Sequence, residues 1–329
     1  MTMNDAQPDR EPLLVLIPLQ PEALAALDAR YALIYEPAGL RDTEALDTLR
    51  ARLGEARLGR LRAVLSNGST GLSAAAMARL PALGLVASFG AGYENIDLAA
   101  ARARGIAVTH APGVNNATVA DHALGLMLAL ARGFVGLDAA VKRGDWEASR
   151  AARPTLNGAR LGLLGLGHIG QQIARRAEAF DMQIAYTART PRAELPYRHV
   201  AALTTLAAES DFLVLACPGG PATRHLVGRE VLRALGPAGY LVNIARGSVL
   251  DTAALIAALE AGEIAGAGLD VLESEPAVPA ALAASPRVLL TPHVSGRSPA
   301  AQRAQVENAI ANLQGFFAGS GPLTEVAAV

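Results

Sequence analysis

Leu161-Gly162-Leu163-Leu164-Gly165-Leu166-Gly167-His168-Ile169-Gly170-Gln171-Gln172-Ile173 is the stretch around which the rest of the chain can be ordered. Residues 161–164 form a short apolar run that reads as a buried strand, and helical spacing takes over at 171–180. Between them Gly165, Gly167 and Gly170 carry the spacing of a dinucleotide-binding turn. The first glycine permits the tight turn, the second lets a pyrophosphate approach the backbone, and the third lets helix and strand pack closely. The helix N-terminus then presents unpaired N–H groups to the phosphates. In a chain with 32 glycines such a spacing arises by chance, and a tight turn without a ligand is the bland alternative. The strand-turn-helix context is what gives this one weight.

Outward from that turn, apolar runs at 161–164, 183–187, 212–216, 240–244, 266–270 and 288–290 alternate with helix-like segments. Six strands with intervening helices are what a complete dinucleotide-binding sheet requires. A similar alternation precedes it, with strand candidates at 13–17, 32–35, 63–65, 85–88 and 106–109 and helical spacing at 21–29, 43–53 and 73–80. Such alternation predicts α/β architecture with parallel sheets covered on both faces. A length of 329 residues fits two domains. A long apolar helix over 118–132, with Asn115 and Asn116 as caps, precedes the second series and links the halves. A last helix over 300–317 fits packing back onto the first domain.

Hydrophobic residues make up 51% and charged residues 18%, a globular composition. Lys+Arg 29 against Asp+Glu 30 gives a formal charge of -1 with no basic stripe. Neither nucleic acid nor an anionic membrane is an expected partner, and a small molecule is the better one. Residues 1–12 are polar and lack an apolar signal core, and no stretch approaches the roughly 20 apolar residues of a bilayer span. One cysteine, Cys217, suits a reducing compartment, so a cytoplasmic protein is expected. The single lysine, Lys142, lies in a turn-like stretch, which argues against Schiff-base chemistry. No metal is expected, because paired-cysteine and His-Glu-x-x-His spacings are missing.

A site preferring NAD places a carboxylate near the end of the second strand to hold the adenosine ribose. Here that end reads Ala185-Tyr186-Thr187-Ala188-Arg189-Thr190-Pro191-Arg192, with two guanidinium groups and no acid. Arginine holds a ribose 2′-phosphate bidentately. The reading is NADP, with NADPH preferred over NADH, Arg189 and Arg192 as clamps, and Thr187 or Thr190 as hydroxyl donor. Solvated arginines on a surface turn are the alternative.

Arg246, Glu275 and His293 fall at or just past strand ends in the same half, where open parallel sheets bind ligands. Singly they have ordinary explanations: a helix-flanking cation, a loop carboxylate, one of six histidines. Together with their neighbours they carry a resemblance. Ala245-Arg246-Gly247, Gly268-Leu269-Asp270-Val271 with Glu273-Ser274-Glu275-Pro276, and Thr291-Pro292-His293 resemble in order the signature blocks of the D-isomer-specific 2-hydroxyacid dehydrogenases. Residues 88–97 look like that family's substrate loop and Thr118-Val119-Ala120-Asp121 like its hinge helix, so the resemblance runs from about residue 13 to 317. Tyr186 through Arg192 looks most like the NADPH-using glyoxylate/hydroxypyruvate reductases.

The resemblance implies a Rossmann doubly wound sheet over 112–294 and a flavodoxin-like substrate domain over 1–111 plus 295–329. It implies His293 as the general acid in reduction and Glu275 as its orienting partner. Arg246 would bind the substrate carboxylate and polarise the carbonyl, while Gly90, Ala91 and Gly92 would offer backbone N–H groups to that carboxylate. Gly165, Leu166, Gly167, His168, Ile169 and Gly170 would line the pyrophosphate, with Cys217 and Pro218 along the cofactor cleft. Asp270 and the Ile244–Ala245 backbone would hold the nicotinamide end. Gly144-Asp145-Trp146 resembles the arm of a homodimer.

Two departures from the family pattern touch substrate choice: Gly219-Gly220 replaces larger residues, and Val294-Ser295-Gly296-Arg297 follows the histidine. Asn67, Leu72 and Arg297 are candidates for the substrate's far end.

The chemistry needs these residue types. Reducing a 2-oxo acid to a D-2-hydroxy acid builds negative charge on the carbonyl oxygen, and a nearby imidazolium supplies the proton. Glu275 should stabilise the charged imidazole of His293 and fix its tautomer. The substrates expected first are glyoxylate and hydroxypyruvate, with phenylpyruvate or 4-hydroxyphenylpyruvate as alternatives. A formate dehydrogenase is disfavoured by Glu275, whose place there is taken by an amide. A corepressor-like NAD(P) sensor is the non-catalytic rival, and a regulatory extension is disfavoured by the short tail.

Overall fold

The computed structural model describes residues 10–40 and 43–327. Part of the polar N-terminal segment read for a signal core, residues 1–9, lies outside them. The chain forms two compact units, Met1–Asn115 with Ser298–Val329, and Asn116–Arg297. The sequence reading puts these boundaries at 111/112 and 294/295.

The first unit is built from β1 (Pro12–Val15), α1 (Pro21–Asp28), β2 (Ala32–Tyr35), α2 (Thr43–Leu58), β3 (Ala63–Ser66), α3 (Ala74–Ala78), β4 (Leu85–Ser88), α4 (Leu98–Ala103) and β5 (Ala107–Thr109). Its five strands are parallel in the order β2-β1-β3-β4-β5. Strands β1, β3 and β4 are buried at every position, as covered parallel strands must be. One face packs Leu14, Val64 and Val86 against Met77 and Leu80; the other packs Leu13, Leu65 and Leu85 against Leu27 and Leu313. The expected helix over 43–53 stops at Gly54, whose φ of 73° breaks the helical path, and the chain then resumes to Leu58.

The second unit holds α5 (Asn116–Arg132), α6 (Phe134–Lys142), β6 (Arg160–Leu164), α7 (His168–Glu178), β7 (Gln183–Thr187), β8 (Arg198–His199), α8 (Leu203–Ala208), β9 (Phe212–Leu215), α9 (Arg229–Leu235), β10 (Tyr240–Asn243), α10 (Thr252–Glu260), β11 (Gly266–Leu269), α11 (Ala280–Ala284) and β12 (Val288–Leu290). Its sheet has seven parallel strands rather than the six expected, in the order β12-β11-β10-β9-β6-β7-β8. The strand the sequence reading misses is β8, which sits outside β7 as the third strand of the doubly wound order. Two polar residues after a proline give no apolar run to detect. The order reverses between β6 and β9, and that switch point is where such sheets bind ligands.

Helix α5 lies against α7 and the sheet, burying Val119, Ala123 and Met127 in one core with Leu161, Leu163 and Ile173. The expected caps are not made as read: Asn116 is the first helical residue, and the buried Oδ1 of Asn115 finds no partner among the described residues. Among the described residues no single helix is long and apolar enough to cross a membrane; α5 and α6, bent by 53°, match such a span only as a pair. Helix α12 (Pro299–Phe317) belongs to the first unit, with Ser298 capping it and Ala309 and Leu313 in that unit's core.

Candidate active site

The three glycines of the turn do different work. Gly165 has φ of 100°, and a Cβ there would lie 2.9 Å from the Ala216 oxygen and from Cys217 Cα. A Cβ on Gly170 would lie 2.3 Å from the Gly165 oxygen. At Gly167 a Cβ would meet nothing within 4 Å. The outer glycines are therefore fixed by packing, whereas the middle one leaves open space at the N-terminus of α7, whose cap makes no side-chain hydrogen bond. Open space beside free first-turn N–H groups is what binding of a pyrophosphate at a helix N-terminus requires. Leu166 is buried, Ile169 is half-buried, and Gly167 and His168 are exposed. Cys217 and Pro218 leave β9 beside Gly165. Burial pushes the Cys217 thiol up to about 11.

At the end of β7, Arg189 and Thr190 are exposed and make no hydrogen bond among the described residues. Arg192 places Nε 2.5 Å from Oε1 of Glu194, and its backbone N–H donates to the Tyr186 hydroxyl at 2.6 Å. The Thr187 hydroxyl donates to the Val200 carbonyl at 2.6 Å, whereas that of Thr190 makes no hydrogen bond among the described residues.

Three neighbouring strands, β10, β11 and β12, deliver Arg246, Glu275 and His293. The Arg246 turn is pinned by buried Asn243, whose Oδ1 accepts from the Ala245 N–H at 3.0 Å and whose Nδ2 donates to the Arg246 carbonyl at 3.1 Å. Ile244 and Ala245 are buried, and the Ala245 carbonyl accepts from Arg246 Nη1 at 2.7 Å. Two glycines let loops close around Arg246. A Cβ at Gly219 would lie 2.7 Å from Arg246 Cγ, and one at Gly247 would lie 2.0 Å from the Leu272 carbonyl carbon. The departure at Gly219 is thus room for the arginine stem.

His293 Nδ1 lies 2.8 Å from Glu275 Oε2, and Glu275 Oε1 accepts from the Leu272 N–H at 2.9 Å. Since a carboxylate only accepts, Nδ1 carries the proton of that bond, and Nε2 makes no hydrogen bond among the described residues. Burial works against the ionised form of Glu275, but the bonds from His293 and the Leu272 amide outweigh it and hold its carboxyl below the ordinary range. His293 has φ of 52°, left-handed for a non-glycine residue. Asp270 holds that turn: its carboxylate accepts from the Thr291 hydroxyl at 2.6 Å, from Val294 N–H at 2.9 Å and from Ser295 N–H at 2.9 Å. Asp270, which the resemblance places at the nicotinamide end, has a fully buried side chain that braces the 291–295 turn.

In the first unit the loop after β4 has its carbonyls tied back. Gly90 oxygen accepts from Ala111 N–H at 2.7 Å, Ala91 oxygen from His110 Nδ1 at 3.1 Å, and Gly92 oxygen from the Ser88 hydroxyl at 2.6 Å. Gly90 N–H donates to the Ser88 carbonyl at 3.0 Å. Ala91 and Gly92 N–H groups find no acceptor among the described residues. Ser88, the first residue of the 88–97 segment, and His110, missed in the sequence, hold this loop; the Tyr93 ring packs edge-on to His110, with centroids 5.3 Å apart. Of the candidates for the substrate's far end, Leu72 is buried in the core, Asn67 braces its own turn through Ser69 and Thr70 N–H, and Arg297 is exposed.

Residues 124–295 match the family model for the NAD-binding domain of D-isomer-specific 2-hydroxyacid dehydrogenases. The chain is 40% identical over 267 residues to a hydroxyphenylpyruvate reductase of Plectranthus scutellarioides, covering 81% of this chain and 85% of that protein. It is 42% identical over 267 residues, with the same coverage, to a glyoxylate/hydroxypyruvate reductase of Arabidopsis thaliana. Among solved structures, an NADPH-dependent glyoxylate/hydroxypyruvate reductase of Sinorhizobium meliloti in complex with NADP and malonate superposes with a TM-score of 0.87, at 38% identity over 97% of each chain. With the glycine turn, the ordered strand-end residues and these likenesses together, the chain belongs to the D-isomer-specific 2-hydroxyacid dehydrogenases, oxidoreductases that bind a nicotinamide cofactor.

Proposed function

We propose that this protein reduces small 2-oxo acids, glyoxylate and hydroxypyruvate first, to D-2-hydroxy acids with NADPH, and that His293 is the general acid. The observation that carries the reading is the His293–Glu275 pair at 2.8 Å, with Nε2 left for substrate. The bound nicotinamide supplies the hydride that adds to the carbonyl carbon. The Arg246 guanidinium neutralises the substrate's carboxylate and draws charge toward the carbonyl oxygen. As the C–O double bond opens, the Nε2–H bond of His293 breaks and its proton passes to the carbonyl oxygen, leaving a neutral imidazole still bonded to Glu275.

Preference for NADPH rests on Arg189, Arg192 and Thr190 and on the missing acid at the end of β7. Likeness to a hydroxyphenylpyruvate reductase supports a second reading, reduction of aromatic 2-oxo acids. A homodimer is part of the proposal, since α6 buries none of its residues and leaves Phe134 and Val135 more than half exposed. A cytoplasmic site of action suits the lone, protonated Cys217. One assay tests the reading: NADPH oxidation against a panel of aliphatic and aromatic 2-oxo acids, repeated with NADH. Activity with none of them, or a clear NADH preference, refutes it in the corresponding part.

A further inference from the structure

The Asp270 carboxylate is the inner end of a longer chain. Thr291 has one hydroxyl proton, and at 2.6 Å from Oδ1 that proton belongs to the bond with Asp270. The contact of Thr291 Oγ1 with Nε2 of His122, 3.0 Å, can then only be donated by the histidine. This fixes the His122 tautomer with its proton on Nε2, and the same nitrogen lies 3.7 Å from Asp270 Oδ1. His122 stands on α5 between Ala120 and Ala123, both fully buried, so the helix holds its ring in place. Nothing in the proton transfer described above uses it.

We propose that His122 is a positioning residue for the reduction: from α5 it closes the chain His122–Thr291–Asp270, which fixes the backbone turn that aims His293. The proposal rests on the reading of His293 as proton donor. A left-handed non-glycine residue persists only where its surroundings over-determine it. Here the His293 N–H donates to the Asp270 carbonyl at 2.9 Å, and the next two N–H groups donate to its carboxylate. Removing the His122 donor leaves the Thr291 hydroxyl with a lone pair unanswered and free to rotate off Asp270. The turn then loosens, and the imidazole spends less time aimed at substrate. The Gly165–Gly170 turn and the end of β7, to which the proposed function gives the pyrophosphate and the adenosine ribose, stand on other strands and take no part in this chain of bonds, so NADPH affinity should change little.

The test compares His122→Phe, which keeps ring volume without a donor, with His122→Gln, whose amide N–H reaches toward the Nε2 position, and with Thr291→Val alone and combined with His122→Phe. Steady-state reduction of glyoxylate or hydroxypyruvate, NADPH Kd by fluorescence, and hydrogen exchange of residues 291–297 in the cofactor-free protein are the readouts. His122→Phe should lower kcat about five- to tenfold with NADPH Kd within about twofold, and should speed exchange at 291–297. His122→Gln should restore most of both, and the double variant should be no slower than Thr291→Val. Wild-type kcat and exchange in His122→Phe overturn the proposal, as does a His122→Gln variant as impaired as His122→Phe, which would mark a packing effect. His293→Gln separates the two readings. If it keeps wild-type kcat, the general-acid assignment fails and the exchange arm alone judges the chain; if it is inactive while His122→Phe is unchanged, only the proposal here fails.

Discussion

His293 and Glu275 meet through Nδ1 and Oε2 at 2.8 Å although 18 residues separate them in the chain. In the proposed reduction this pair leaves Nε2 to face substrate, so its two members should fail differently. His293→Gln removes the proton donor and should lower kcat by about 10²–10⁴-fold. Glu275→Gln keeps an acceptor for Nδ1–H but removes the charge that stabilises the imidazolium, so its loss should be smaller and should fall on kcat more than on KM. Stopped-flow reduction at neutral pH checks both. Near-native kcat in His293→Gln would remove the acid from the scheme.

Asp270 yields a pH-dependent prediction for stability. Burial opposes its ionised form, yet the bonds from Ser295, Thr291 and Val294 prevail and hold the carboxyl below its ordinary range. A depressed folded value means the ionised group stabilises the fold fully above the unfolded value, about 3.9, and that this contribution is lost as pH falls through the folded value. Asp270→Asn should therefore cost about 1.5–3 kcal/mol at pH 7. The gap to wild type should narrow in acid. Urea unfolding of both proteins at pH 7 and below pH 4 measures it, and a gap independent of pH would contradict the account.

Cofactor choice can be tested on three residues of one turn. Arg192→Ala and Arg189→Ala should each weaken NADPH binding by roughly tenfold while leaving NADH nearly unchanged, because only the 2′-phosphate needs them. Glu194 competes for Arg192, its Oε1 lying 2.5 Å from Nε. Glu194→Gln should then tighten NADPH binding, by no more than about fivefold because the pair is exposed. Fluorescence titration with both dinucleotides gives the answer without turnover. Equal losses for NADPH and NADH in the arginine variants would assign them another role.

What the sequence made legible follows from range. Apolar runs flanked by Gly, Pro or polar residues revealed eleven of the twelve strands found among the described residues, and Arg246, Glu275 and His293 could be placed because each stands a few residues past such a run. The twelfth, β8, is two polar residues whose pairing with β7 is set by the sheet and not by local pattern. The residues that hold the site were hidden for a related reason. Asn243 and Ser88 look like ordinary strand-end polar residues until their partners are known, and His122 is joined to a residue 169 positions away. Asp270 could be read as conspicuous but not as the anchor of the 291–295 turn, because its three carboxylate bonds come from a segment at least 21 residues on.

The proposed homodimer can be tested on helix α6. Phe134, Val135 and Val141 on it, with Trp146 just beyond, are 53%, 63%, 41% and 61% exposed, an apolar surface that a monomer seldom leaves to water. Replacing Val135 with Glu puts a charge into that surface and should shift a dimer to monomer, with the nicotinamide-binding unit still folded. Analytical ultracentrifugation of the two proteins decides it. A wild-type chain that sediments as a monomer at micromolar concentration would end the dimer proposal.

Alanine placed at each glycine of the Gly165–Gly170 turn should separate folding from cofactor binding. At Gly165 the backbone is left-handed and the added carbon would crowd Ala216 and Cys217; at Gly170 it would sit 2.3 Å from a backbone oxygen. Neither neighbour is a flexible side-chain end, so both variants should lower Tm by several degrees, about 1–3 kcal/mol of strain. Gly167 has φ of −73° and ψ of −164°, extended backbone that alanine adopts, and no atom lies within 4 Å of the new carbon. Gly167→Ala should therefore fold with unchanged Tm and still bind NADPH at least tenfold more weakly, since the methyl occupies the approach of the pyrophosphate. If Gly167→Ala binds NADPH like wild type, the open space beside it is not where the dinucleotide lies, and the placement of the cofactor along α7 falls with it.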